Sequence, residues 1–156
     1  MSECEASKAL TDLILSIFRI NGTLIENGDK RVYPYGITGA QWQVLGPIGF
    51  ADSPMSAPQI AKFIGITRQG VQKQLNNLRD SELVRCCSNP HHERSPLYEL
   101  TEIGKEQYQI VCQLHKKSLD KLVGLFDQNE LQTTLKVLTK FHEYLIEEGA
   151  TLGGKE

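Results

Sequence analysis

The chain lacks most of what would announce a catalyst or a membrane protein. Within its 156 residues the longest uninterrupted apolar stretch is a handful of positions, far short of the ~20 a helix needs to cross a bilayer. The opening residues, MSECEASKAL, contain no basic segment leading into an apolar one, so they do not read as an export signal. Cysteine is scarce. Without an export signal, Cys4, Cys86, Cys87 and Cys112 are expected as free thiols in a reducing compartment, the cytoplasm by default. There is no phosphate-binding loop, no paired-carboxylate pattern and no nucleophile signature, so neither an enzyme nor a cofactor is expected. A positive balance is missing too. Lys and Arg number 17 against 19 Asp and Glu, a formal charge of −2, and bulk composition therefore announces no polyanionic partner.

What is present is enough for one core, since 40% of the residues are hydrophobic. Both ends of the chain read as helix. Leu10, Leu13, Ile14, Ile17, Phe18, Leu24 and Ile25 recur mostly at steps of three and four, a broad apolar stripe that Gly28 and the residues up to Pro34 are expected to end. A second run extends from Ile103 through Ile110, Val111, Leu114, Leu119, Leu122 and Phe126. Asp127, with Glu130 at the capping-box position, opens a third through Leu131, Leu135, Leu138, Phe141, Leu145 and Ile146. This helix is expected to end near Gly149 and to leave TLGGKE as a frayed tail. Such wide stripes exceed what a central segment of this size can cover. The surplus predicts helix packing against a second copy of the chain.

The middle of the chain is built from short elements. Thr38 and Gln41 form a capping box ahead of Trp42, Val44 and Leu45, with Pro47 and Gly49 expected to break that helix early. Ser56 and Gln59 form another, with Pro58 in the first turn, Ile60, Ala61, Phe63 and Ile64 as the apolar face and Gly65 as C-cap. Thr67 caps a further helix to about Ser81. There Val71, Leu75 and Leu78 share one narrow face. At about 100° per residue the opposite face carries Gln69, Lys73, Asn76 and Asp80, with Arg68, Gln72 and Asn77 on the flanks. Residues 67–79 contain no acid, whereas a merely solvated helix would favour Glu–Lys pairs. Arg, Lys, Gln and Asn are the side chains that donate to phosphates and base edges. Two short helices around a tight turn, the second donor-rich, read as a helix-turn-helix.

The next residues read as a hairpin. Leu83–Ser88 forms a strand, Asn89–Pro96 a turn-rich loop and Leu97–Leu100 a returning strand, giving a wing whose loop offers Arg94 and Ser95 to a minor groove or phosphate. From Ser56 to Pro96 the bases Lys62, Arg68, Lys73, Arg79, Arg85 and Arg94 outnumber the acids Asp80, Glu82 and Glu93. His91 and His92 add positive charge at lower pH. A locally positive face on a net-negative chain fits a specific DNA reader. Cys86, Cys87, His91 and His92 place potential zinc ligands close together, but adjacent strand residues point to opposite faces, and no metal site is expected.

In this order of elements the chain resembles the MarR family of winged-helix repressors. Thr38, Gln41, Trp42, Val44 and Leu45 carry the resemblance in one helix and Ile60-Ala61 in the first helix of the motif. Leu78, Leu83, Val84 and Arg85 carry it at the wing entry. Asn89-Pro90, Arg94-Ser95 and Leu100-Thr101-x-x-Gly104 carry it through the wing and its exit. Two positions depart, Glu82 standing where the family has glycine and His92 where its wing has an acid. The resemblance implies a mainly α fold with a small β-hairpin wing in one domain over 1–156. Residues 9–27 and 103–149 would be dimerisation helices and 38–101 the DNA-binding lobe. It also implies a homodimer on a pseudo-palindromic double-stranded operator. Thr67, Arg68, Gln69, Gln72, Lys73, Asn76, Arg94 and Ser95 would make the DNA contacts. A small aromatic effector is the further implication, with Phe18, Tyr33, Tyr35 and Trp42 as candidate lining, or oxidant sensing through cysteine. A winged-helix module working by protein interaction alone is the alternative.

Overall fold

The computed structural model describes residues 2–90 and 92–153, with side chains as far as residue 149. In chain order the elements are α1 (Glu3–Val32), a 3₁₀ turn (Tyr33–Tyr35), α2 (Gly39–Phe50), β1 (Met55–Ser56), α3 (Ala57–Ile64), α4 (Arg68–Asp80), β2 (Val84–Cys87), β3 (Leu97–Leu100), α5 (Glu102–Leu122), a 3₁₀ turn (Val123–Leu125) and α6 (Gln128–Gly153). Two units divide them, Met1–Leu114 and His115–Glu156. Among the described residues no helix is long and apolar enough to cross a membrane.

The first unit holds the core. Val44, Leu45, Ile60, Val71, Leu75 and Leu78 are fully shielded, joined by Ile37, Ile48, Leu83, Val84, Tyr98, Leu100 and Val111. Apart from Ile37 and Leu83, in the connections before α2 and β2, they come from α2, α3, α4, α5 and the sheet, whose strand order is β1-β3-β2, antiparallel throughout. β2 and β3 pair Val84 with Leu100 and Cys86 with Tyr98. β1 is too short to show a period of two, and it joins the sheet by pairing Met55 with Tyr98.

The expected caps are all present. Thr38 Oγ1 accepts from the Gln41 N–H at 3.2 Å while Gln41 Oε1 accepts from the Thr38 N–H at 2.8 Å. Gln59 Oε1 accepts from both the backbone N–H and the hydroxyl of Ser56, each at 2.8 Å. Asp127 Oδ1 and Glu130 Oε2 close the reciprocal pair at the start of α6. Gly65 ends α3 in the left-handed conformation at φ 74.

Three helices are longer than expected. α1 starts at Glu3, because Ser2 and Glu5 form a capping box upstream of the apolar stripe, and it passes through Gly28 to Val32. A single interior glycine costs only ~1 kcal/mol. Beside it the Asp29 carboxylate accepts from the Gly39 N–H, and Val32 is buried. α2 likewise continues past Pro47 to Phe50. Pro47 is itself buried there, and α2 packs on α1, α3, α4 and β3, so tertiary packing offsets the lost hydrogen bond. Gly49 is not a breaker either. A Cβ at this position would lie 2.5 Å from the Tyr108 ring, and that ring stacks on Trp42 at 5.8 Å between centroids. α6, finally, extends past Gly149 to Gly153, so Thr151–Gly153 of the expected tail are helical. Gly154–Glu156 lie outside the described residues.

Thr101 and Gly104 join the wing to α5. The Thr101 hydroxyl donates to the Glu82 carbonyl at 2.6 Å and accepts from the Gly104 N–H at 3.0 Å. The Thr101 N–H donates to the Leu83 carbonyl at 3.1 Å. That carbonyl would sit 1.9 Å from a Cβ at residue 104, which leaves room only for glycine.

Candidate nucleic-acid interface

α4 is anchored by its apolar face and presents the other. Thr67 Oγ1 accepts from the Gly70 N–H at 3.1 Å and starts the helix. Val71, Leu75 and Leu78 fix its rotation by packing on α2, α3 and β2. Arg68, Gln69, Lys73, Asn76 and Asn77 are consequently exposed. Gln72 is half-buried and faces the sheet. Its Nε2 donates to Asn76 Oδ1 at 3.1 Å and to Tyr98 Oη at 3.0 Å.

The wing lies alongside. Asn89 Nδ2 donates to the Ser95 carbonyl at 2.7 Å, and the Ser95 N–H donates to the His92 carbonyl at 2.9 Å. These two bonds fold the loop back on itself and set Arg94 at its surface. Arg68, Gln69, Gln72, Arg94 and Ser95 line one cleft of about 290 Å³ together with Tyr98. α4 and the wing therefore bring most of the expected DNA-contacting residues to one face, with Lys73 and Asn76 further along the same helix.

The cations divide into engaged and free. Arg85 Nε donates to Glu99 Oε1 at 2.6 Å across the strands, and this bond holds the Glu99 carboxyl below the ordinary carboxylate range. Arg79 has Asp80 3.9 Å away. Arg68, Lys73 and Arg94 have no acidic partner among the described residues. The sequence count credited Arg85 to the positive face, but its charge is neutralised by Glu99, just outside the window counted. Period-two pairing could have revealed this, since Arg85 and Glu99 stand opposite in the hairpin register.

The remaining expectations are scattered. Phe18 and Tyr33 are strongly exposed and roughly 20 Å apart along α1. Tyr33 borders a hollow of about 390 Å³ with Asp29, Lys30 and Thr38. Tyr35 is exposed, and Trp42 is half-buried against Tyr108. All four cysteines are free thiols. Cys4 lies in the first turn of α1. Cys86 and Cys87 occupy opposite faces of β2, burial pushes the Cys87 thiol up, and His91 lies outside the described residues. Among the described residues no cluster of three metal-ligating side chains forms.

The model of the MarR family matches residues 35–95, the span from the end of α1 to the wing. An uncharacterized protein of Mycobacterium tuberculosis is 33% identical over 128 residues, covering 82% of this chain and 88% of that protein. The transcriptional activatory protein BadR of Rhodopseudomonas palustris is 23% identical over 131 residues, 82% of this chain and 75% of BadR. Among solved structures, the Staphylococcus aureus MepR–DNA complex aligns at TM-score 0.73 and 21% identity, over 83% of this chain and 96% of that one. Staphylococcus aureus MarR in complex with salicylate and kanamycin aligns at TM-score 0.75 and 22% identity, over 95% and 99%. Those structures share the helix-turn-helix and wing described above, and the chain belongs to the MarR family of winged-helix transcription regulators.

Proposed function

We propose that the chain is a repressor that binds a pseudo-palindromic operator as a homodimer in the cytoplasm and is released by a small aromatic molecule or an oxidant. Residues 38–101 read the DNA, and residues 9–27 and 103–149 form the dimer. The observation that carries the reading is the exposed face of α4, where Gln69, Lys73 and Asn76 stand opposite a fully shielded apolar face and no acid intervenes. Two such helices, one from each copy, enter successive major grooves about 34 Å apart. Lys73 and Arg68 meet phosphates, and Arg94 on the wing reaches backbone or minor groove.

The dimer follows from what the helices leave uncovered. Leu10, Phe18, Ile20 and Leu24 on α1 are all more than half exposed. Leu135 and Ile146 on α6 are as well. Apolar faces of this extent mark an interaction surface. The hollow bordered by Tyr33 is the place we assign to an effector, a role favoured by the salicylate complex of the Staphylococcus aureus neighbour.

Fluorescence anisotropy with the DNA upstream of the chain's own gene tests the reading. Binding is expected to weaken steeply with salt, because the cations of two subunits displace several counterions. Affinity that stays flat from low to physiological salt would remove the DNA-contact assignment. Promoter output should rise when the gene is deleted, and a fall would make the chain an activator, as the name of BadR describes that relative.

A further inference from the structure

The group that orders the reading face of α4 does not lie on it. Gln72 Nε2 carries two hydrogens, and both are engaged, one by Asn76 Oδ1 and the other by Tyr98 Oη. Tyr98 belongs to β3, is 2% exposed and is held on both sides by strand pairing, opposite Cys86 in β2 and Met55 in β1. Its oxygen is thereby held at the foot of α4, accepting from Gln72 while the hydroxyl's own hydrogen bond is with Cys86 opposite it. Burial pushes its ionisation up, so the phenol stays neutral at physiological pH. Asn76 turns its carbonyl oxygen toward Gln72, along the helix. The amide nitrogen, which has no partner among the described residues, is left as the end facing solvent.

We propose that Tyr98 is a specificity-determining positioning residue: the chain Tyr98 Oη, Gln72 Nε2, Asn76 Oδ1 holds the Asn76 amide with its donor end outward, toward an acceptor on a base edge. This rests on α4 being the DNA-reading element, as proposed above. An untethered asparagine can present either end and can pair with adenine through both. Tethered donor-outward, Asn76 favours purine N7, guanine O6 or thymine O4. Cytosine is rejected, because its major-groove edge offers only the N4 donor.

Tyr98→Phe removes one oxygen and keeps the ring in the core. The full-length protein selects its site from a randomised duplex library, and competition among single-base variants of that site gives the preference at each position. At the base pair where Asn76→Ala loses preference, Tyr98→Phe is expected to lose about three- to tenfold discrimination against cytosine, the equivalent of one hydrogen bond. Other positions and random duplex should be unaffected. Gln72→Leu should lose the same discrimination at that base pair, and Tyr98→Phe should add nothing there in the Gln72→Leu background. If Tyr98→Phe does not fold, Gln72→Leu alone carries the test, since residue 72 is only half-buried.

A Tyr98→Phe profile that superimposes on the wild type overturns the inference. So does a uniform loss at every position and on random duplex, which marks a purely structural role, or an Asn76→Ala variant with no altered position. Wild-type protein that selects no sequence at all removes the DNA-reading assignment of α4 itself. A clear wild-type profile left unaltered by Tyr98→Phe removes only the inference about Tyr98.

Discussion

In α4 the apolar residues Val71, Leu75 and Leu78 are fully shielded, whereas in α6 Leu131, Leu135, Leu145 and Ile146 keep between 45% and 63% of their surface open. Both helices carry apolar residues at steps of three and four, and both start at well-formed caps. They differ in what covers them. α4 closes on α2, α3 and β2 within its own unit. None of the described side chains of α6 is buried. Periodicity identifies the face a helix must bury and is silent on which surface does the burying.

Truncating the two helices should have very different consequences for stability. Leu75→Ala is expected to cost about 2–5 kcal/mol in chemical denaturation, because it opens a cavity in a close-packed core. Leu135→Ala should cost under about 0.5 kcal/mol in dilute protein. At micromolar concentration it should instead lower the sedimentation mass from about twice 17.5 kDa toward the single chain. Equal losses of folding stability in the two variants would mean that α6 is covered within the monomer.

Within the first unit, α4 and the wing should differ in how they bind DNA. Gln69→Ala is expected to cost about 1–3 kcal/mol on the operator and to relax preference at particular base pairs. Arg94→Ala should weaken operator and random DNA more evenly, because the wing positions more than it reads. Neither variant should unfold the protein, both side chains being exposed. A sequence profile reshaped throughout by Arg94→Ala and untouched by Gln69→Ala would move the reading face from α4 to the wing.

The junction between α4 and β2 offers a smaller effect of opposite sign. Glu82 adopts φ 58, the one non-glycine residue at positive φ among those described. The family resemblance places a glycine there, and the left-handed conformation costs an L-residue about 1–2 kcal/mol. Glu82→Gly should therefore stabilise the lobe by about 1 kcal/mol, less the extra chain entropy of glycine when unfolded. A fall in the denaturation midpoint would show that the Glu82 side chain contributes more than its backbone strain costs.

The last effect is confined to alkaline solution. Burial pushes the Tyr108 phenol up to about 12 and that of Tyr98 upward as well. A phenol raised in the folded state contributes stability that is fully present below its unfolded value of 10.0 and lost as pH rises toward the folded value. The denaturation midpoint of the first unit should fall between pH 10 and about 12, in step with phenolate absorbance. Tyr108→Phe should reduce that fall.

Much of the lobe was legible because its signals are local. Capping boxes at Thr38–Gln41, Ser56–Gln59 and Asp127–Glu130 involve side chains three residues apart, and a cap depends on little beyond that distance. The inward face of α4 follows from helical geometry alone. Other features escaped because they depend on residues far apart in sequence. Pro47 looks like a helix breaker until the packing around α2 is known. Gly49 looks like one until the Tyr108 ring lies against it. Arg85 looks free until Glu99 arrives across the hairpin, and β1 has no pattern of its own.

Local spacing in the sequence sets the long helices and the two wing strands, the caps, the polar composition of the face that α4 presents and the family to which the chain belongs. Each of these is encoded in spacings of a few residues, where backbone geometry fixes which side chains meet. Tertiary structure alone decided that α1 and α2 run through their glycine and proline. It also decided that Gln72 is tied to Tyr98 and that only part of the positive charge is free. Those outcomes turn on packing and pairing between groups that the chain brings together only when it folds, with 26 positions separating Gln72 from Tyr98 and 14 separating Arg85 from Glu99.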